Sequence, residues 1–178
     1  MTSSSQSIVL AGGCFWCIDA AFRMINGITS VTSGYTGGQT LNPTYYQVVS
    51  GETGHAEAVR VEFNPSIISL EDVLDIFWAL HNPTTLNRQG ADIGPQYRSA
   101  IFYLDQAQKK IAEASIKKVA KLWSDPVVTK LEPLEQFYPA EPEHQNYFAR
   151  NPQAAYCQVI INPKLEKLRQ KFSERLLP

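Results

Sequence analysis

The chain has 178 residues, 44% of them apolar, so it can bury a core and is not a disordered chain. Sixteen Lys and Arg stand against 17 Asp and Glu, a formal charge of −1, which argues against a nucleic-acid surface. No apolar run approaches the roughly 18 residues that read as a membrane span.

Residues 1–7 lack a basic region and a long apolar region. They are expected to form a disordered tail rather than a secretory signal, with one domain over 8–178. Residues 7–12 read as a short buried strand, and 16–24 as a helix. Cys14 therefore falls at a strand-to-helix junction. A second strand is expected over 28–35 and a short helix over 45–50. Residues 56–63 alternate: Val59, Val61 and Phe63 face one way, Arg60 and Glu62 the other. By the same period Glu57 falls on the apolar face, where a carboxylate is anomalous.

Ser69 with Asp72 three residues on opens a helix whose buried stripe is Leu70, Val73, Leu74, Phe77 and Trp78. Residues 82–97 read as a long loop, of a length that is commonly functional. A strand over 98–104 and a helix over 106–122 capped by Asp105 follow. Residues 127–131 are a strand candidate, 133–142 irregular, 145–150 a short helix, and 156–161 strand-like. Pro163 opens a last helix at its favoured first position. Mixed strands and helices without repeats imply one α+β domain, with strands whose alternation suggests an antiparallel sheet.

The chain carries three cysteines. An odd count does not make a disulfide framework, and a reducing compartment, the cytoplasm, is expected. Cys14 and Cys17 form a Cys-x-x-Cys pair preceded by Gly12 and Gly13. A thiol at a helix N-terminus feels the positive end of the helix dipole, so its pKa is expected to fall and its thiolate to be a nucleophile. The i, i+3 spacing puts Cys17 on the same helix face. A pair of small core residues is the plainer alternative. A zinc site from this pair, Cys157 and one histidine lacks a second paired knuckle. A thioredoxin-like dithiol is less suited to the large aromatics Phe15 and Trp16 between the thiols.

Glu57 on a buried face should have a raised pKa, and a neutral carboxylic acid can donate a proton near neutral pH. It also reads as a half-exposed residue at a strand start. Tyr45 and Tyr97, in loops rich in proline and glycine, offer hydroxyl donors for a pocket. Alone, each reads as a packed aromatic. Asp92 alone reads as a turn residue, and His55 as a structural hydrogen-bonding residue.

Several motifs together resemble the A-type peptide methionine sulfoxide reductases. They are Gly13-Cys14-Phe15-Trp16, the run from Val31 to Gly38, Asn42-Pro-Thr-Tyr45, and Gly51-Glu-Thr-Gly54-His-Ala-Glu57. The match continues through His81 to Asp92, Gly94-Pro-Gln-Tyr97, Phe137 to Glu141, His144-Gln145, Asn151-Pro152 and Tyr156-Cys157. The resemblance spans about residues 8–172. It implies a ferredoxin-like α/β sandwich with a mixed or antiparallel sheet, flanking helices and long coil segments. It implies reduction of methionine-S-sulfoxide, free or in proteins, as repair after oxidative damage, with thioredoxin or dithiothreitol as reductant and no metal or other cofactor. Neither nucleic acid nor membrane is an expected partner.

Residue by residue, the resemblance makes Cys14 the nucleophile and Glu57 the acid on the sulfoxide oxygen. Tyr45 and Tyr97 would bond that oxygen, and Asp92 would support the polar network. Phe15 and Trp16 would cradle the S-methyl group. Cys14 would become a sulfenic acid that a second thiol converts to a disulfide. Many family members have Gly where this chain has Cys17, and two cysteines near the C-terminus where this chain has Cys157. The resolving thiol is thus open between Cys17, by proximity, and Cys157, by the family pattern, with a three-cysteine relay as a third course.

Overall fold

In the computed structural model, which describes residues 4–178, β1 (Gln6–Gly12) runs through the centre of a six-stranded sheet. Its first two residues, Gln6 and Ser7, pair with Phe63 and Glu62. The expected tail is therefore strand at its inner end, because those residues complete the ladder. Residues 1–3 of that tail lie outside the described residues.

The helix α1 (Phe15–Phe22) leads to β2 (Ile28–Thr36), and α2 (Tyr45–Val49) precedes β3 (Ala56–Phe63). The helix α3 (Leu70–Leu80) then leads through a two-stranded hairpin, β4 (Arg88–Gln89) and β5 (Asp92–Ile93), to β6 (Ser99–Tyr103). After α4 (Gln106–Ala120) come β7 (Lys130–Pro133) and β8 (Phe137–Pro139), then α5 (Tyr147–Arg150) and α6 (Asn162–Lys171).

The sheet order is β7-β6-β1-β3-β2-β8. Each of the four central strands is antiparallel to its neighbours among them, with α1 linking β1 to β2 and α3 linking β3 to β6. Two interleaved β-α-β units of this kind are the ferredoxin-like arrangement. The edge strand β7 runs parallel to β6, so the sheet is mixed. Strand alternation sorts the side chains: Ile8, Leu10, Val59, Val61 and Phe63 meet the helices, whereas Val9, Ala11, Ala56 and Ala58 build a smaller cluster on the other face. Phe77 of α3 is wholly buried in the main core. Truncating it to Ala would cost about 3–5 kcal/mol.

Ser69 caps α3 by accepting from the Asp72 N–H at 3.1 Å, and Asp105 caps α4 by accepting from Gln108 at 2.8 Å. Four expectations change. The loop over 82–97 contains the β4–β5 hairpin. The strand expected at 127–131 lies at β7, and the stretch 133–142 holds β8. Residues Cys157–Ile161 are π-helix rather than strand. Their buried positions, Cys157 and Ile161, recur four apart and continue at Leu165 and Leu168. That is a helical period, and it overrides the strand preference of Val159 and Ile160.

Candidate active site

Cys14 is the residue before α1, where β1 hands the chain to the helix. Gly13 makes the junction with a φ of +93°, and a Cβ there would meet the Gln89 side chain at 2.7 Å. Seven of the eight residues of α1 are buried, so the helix is held by packing on nearly every side. On its far side Asp19, fully buried, receives Arg23 Nε at 2.8 Å, and the Ser33 hydroxyl donates to it at 3.4 Å. This fixes α1 against β2.

Glu57, on the helix-facing side of β3, is 2% exposed and accepts from the Phe15 N–H at 3.3 Å. The first free N–H of the helix is thereby spent on the carboxyl beside Cys14. Burial raises the Glu57 pKa to about 8, against the partial relief from that N–H, so the group is largely protonated at neutral pH. This agrees with the sequence expectation.

The Cys14 thiol departs from it. Burial, then the hydrogen bond with Cys17 and the Glu57 charge, push it well above its ordinary value. The helix terminus does not win, because desolvation of the buried thiol outweighs it. Cys17 moves the other way, to about 7, through its hydrogen bond with Cys14 and the help of Lys164 and Tyr156 against burial.

Tyr45 and Tyr97 both have phenol pKa values raised by burial and by the charges of Glu57 and Cys14, which places both hydroxyls within the field of that pair. The Tyr45 N–H donates to Glu141 Oε2 at 3.0 Å, and Tyr35 Oη donates to Glu141 Oε1 at 3.0 Å. Thr44 and Gln47 form a reciprocal capping box that sets the start of α2. Asp92, on β5, accepts from Tyr156 Oη at 2.8 Å.

Phe15 is fully buried, with its ring 5.7 Å from Tyr35 and 6.4 Å from Tyr45. The Trp16 ring stacks on Tyr147 at 3.7 Å, and its Nε1 donates to His144 Nδ1 at 3.3 Å. The aromatic wall is thus built from both ends of the chain. His55 is structural, as expected: Nδ1 accepts from the Gly38 N–H at 3.0 Å and Nε2 donates to the Thr40 carbonyl at 2.7 Å.

Cys157 is fully buried at the first position of the π-helical turn, which packs against α1. The charge of Cys17 contributes to raising its thiol, after burial. Cys17 thus interacts electrostatically with both other thiols, and all three are free.

Tyr156, His144, Tyr147 and Glu141 are site residues that patterning did not single out. Glu141, His144 and Tyr156 fall within motifs that carry the family resemblance, but no role came with them, and Tyr147 had no signal beyond lying in the same aromatic and polar run. Among the described residues, Glu141, Glu143 and His144 form the group of ligand-bearing side chains within 4.8 Å of one another. Both Glu141 oxygens and His144 Nδ1 already accept hydrogen bonds, which accounts for the cluster. The three thiols with a histidine form no such group among these residues.

A model of the family described as peptide methionine sulfoxide reductase matches residues 6–176. The chain belongs to the peptide methionine sulfoxide reductase family. A family member from Paenarthrobacter aurescens is 54% identical over 168 residues, which are 94% of this chain and 97% of the relative. Another from Leptospira borgpetersenii is 55% identical over 162 residues, 91% and 92% of the two chains. The solved structure of reduced Mxr1 from Saccharomyces cerevisiae superposes with a TM-score of 0.82 at 35% identity, covering 88% of this chain and 91% of that one. The same yeast protein in complex with Trx2 gives a TM-score of 0.58 at 27% identity, covering 83% and 87%. Membership makes this chain an oxidoreductase acting on methionine sulfoxide. No helix among its described residues is long and apolar enough to cross a membrane.

Proposed function

We propose that residues 8–178 act as one catalytic domain that reduces methionine-S-sulfoxide, free and in proteins, by thiol attack at Cys14. The observation that carries this reading is the buried, largely neutral Glu57 bonded to the N–H next to Cys14. A sulfoxide sulfur becomes electrophilic when its oxygen is protonated or strongly hydrogen-bonded. Glu57 supplies the proton, and Tyr45 and Tyr97 donate hydrogen bonds to the same oxygen. Phe15 and Trp16 receive the S-methyl group, and Asp92 holds the polar network through Tyr156.

Cys14 bonds to the sulfoxide sulfur, whose oxygen takes the Glu57 proton. Collapse releases methionine and leaves the oxygen on Cys14 as a sulfenic acid. A second thiol then attacks Cys14 and water leaves. Cys17 is the nearer partner by sequence and by its hydrogen bond to Cys14. Cys157 then attacks Cys17 and expels the Cys14 thiolate, breaking the first disulfide and giving a final Cys17–Cys157 bridge. A thioredoxin dithiol reduces that bridge by exchange and is itself oxidised. The yeast relative's complex with Trx2 supports this partner. The cycle balances with thiols alone, so it calls for no prosthetic group or metal. Nucleic acid and membrane have no part in it. A reducing cytoplasm suits three free thiols.

The test is turnover of the two resolved methionine sulfoxide epimers with dithiothreitol and with thioredoxin. The S-epimer is reduced with either reductant. Absence of turnover with both would refute the reading.

A further inference from the structure

Eleven large hydrophobic side chains are exposed among the described residues, and five of them fall in two stretches: Leu41, Tyr46 and Val49, then Leu86 and Ile93. Scattered exposed hydrophobics need no explanation, whereas a contiguous run marks a contact surface. These two stretches are the ones that carry Tyr45 and Asp92.

On α2, Tyr46 and Val49 stand three apart and share a face, 83% and 37% exposed. Only Val48 of this helix is buried, so the fold itself does not require apolar residues at 46 and 49. The Tyr46 ring lies edge-on to that of Tyr45, 5.8 Å away, and Tyr45 in turn lies 4.1 Å from His144. On β5 the alternation splits neighbours: Asp92 reaches Tyr156, and Ile93 is 66% exposed. The two stretches are joined where Gln96 Nε2 donates to the Val49 carbonyl at 3.0 Å. A Cβ on Gly51, just past α2, would lie 3.7 Å from Pro95. Residues 24–51 contain no Asp, Glu, Lys or Arg, so α2 and the segment leading to it carry no charged side chain.

We propose that Tyr46, Val49 and Ile93 form an apolar rim that docks the polypeptide on either side of the oxidised methionine. The reductase therefore favours sulfoxides flanked by apolar residues, the context in which a core methionine sits once its chain has opened. This rests on the reading of the site given above. A methionine side chain that reaches Cys14 must bring its own backbone across the surface around Tyr45 and Asp92. The occupant is thus the substrate chain, since the rim borders the residues assigned to the sulfoxide. Thioredoxin, in contrast, must reach Cys17 and Cys157, which are buried on α1 and the π-helical turn.

The experiment measures kcat/KM on N-acetylmethionine sulfoxide and on two pentapeptides with a central S-sulfoxide, one flanked by Leu and one by Ser. The wild-type protein is compared with a Tyr46→Ser, Ile93→Ser double variant, whose fold is checked by circular dichroism. The wild type favours the Leu-flanked peptide about tenfold, the scale of burying some 55 Å² of apolar surface. The double variant loses that preference while keeping its rate on N-acetylmethionine sulfoxide. Equal wild-type rates on the two peptides overturn the proposal, as does a preference that survives in the variant. Equal loss on all three substrates makes the rim a support for the pocket and also overturns it. A preference left intact while only thioredoxin-driven recycling slows assigns the rim to thioredoxin. Failure of the wild type on N-acetylmethionine sulfoxide would instead remove the reading on which the proposal rests.

Discussion

Tyr156 Oη lies 3.9 Å from the sulfur of Cys17 and donates its hydrogen to Asp92 at 2.8 Å, so one hydroxyl links a carboxylate and a thiol. When Cys17 ionises, that hydrogen can turn to the sulfur. Tyr156→Phe should therefore leave methionine release in the first turnover intact and slow disulfide formation about tenfold, the scale of one hydrogen bond to a charged group. Rapid-quench thiol counting after one equivalent of sulfoxide checks this; unchanged bridge formation would show that the contact is only packing.

The pH dependence follows from Glu57 and Cys14 acting together. The reactive form needs Cys14 ionised and Glu57 protonated, one proton across the pair. Burial raises Glu57 to about 8 and pushes Cys14 well above its ordinary value. Below pH 8 the pair holds two protons and the reactive form is scarce, so single-turnover kcat/KM should climb as pH rises to about 8. In Glu57→Gln the rate should fall about 10²–10⁴-fold, and the rising limb should move up to the pKa of Cys14 alone. Stopped-flow fluorescence of Trp16 provides the readout. A variant rate within twofold of wild type would make Glu57 structural.

Cys14→Ser should abolish reduction, because a neutral hydroxyl does not attack sulfur. Cys17→Ser and Cys157→Ser should each still release one methionine per chain. Peptide mapping after that turnover should find Cys14 bridged to Cys17 in the Cys157→Ser protein. A fast Cys14–Cys157 bridge in Cys17→Ser, with recycling at the wild-type rate, would show Cys17 to be a bystander.

The S-epimer alone should be reduced. In the proposed mechanism Glu57 and Phe15 set where the oxygen and methyl group lie around one tetrahedral sulfur, and Cys14 sets the line of attack. Aiming the oxygen of the R-epimer at Glu57 would drive its methyl group away from the aromatic wall. Chiral chromatography of residual substrate tests this, and comparable consumption of both epimers would contradict the geometry.

Asp19→Ala should cost about 3 kcal/mol of stability, since it strips a buried partner from Arg23 and Ser33. Chemical denaturation measures it, and a loss under 1 kcal/mol would mean that the pair adds little to holding α1 in place.

The places of the proposed nucleophile and its acid were readable in one dimension. Two glycines before Cys14 marked the chain junction, and a period of two put Glu57 on the buried face of β3. The reaction itself was legible through motif order along the chain. The raised pKa of Cys14 was not, because a helix terminus is visible in sequence and the depth at which it is buried is not. Tyr156, His144 and Tyr147 reach α1 from more than 120 residues away, and no local pattern encodes that approach. Residues 156–161 misled for a related reason. Their branched side chains suit a strand, but the sheet edge beyond β2 is taken by β8.

The π-helical turn at Cys157–Ile161 amounts to an α-helix with one residue too many, running straight into α6. Removing one outward residue, such as Val159, would let the backbone settle into ordinary i→i+4 pairing. Each residue of an α-helix advances the azimuth by about 100°, and each residue of the wider i→i+5 turn by less, so the five residues of the π turn sweep about the arc of four α-helical ones. With α6 anchored by Leu165 and Leu168, the shortened segment would therefore keep Cys157 on nearly the buried face it occupies now. The surplus residue is taken up inside the widened turn, like slack in a coil, and the C-terminal helix holds the same angular phase toward α1 with or without it.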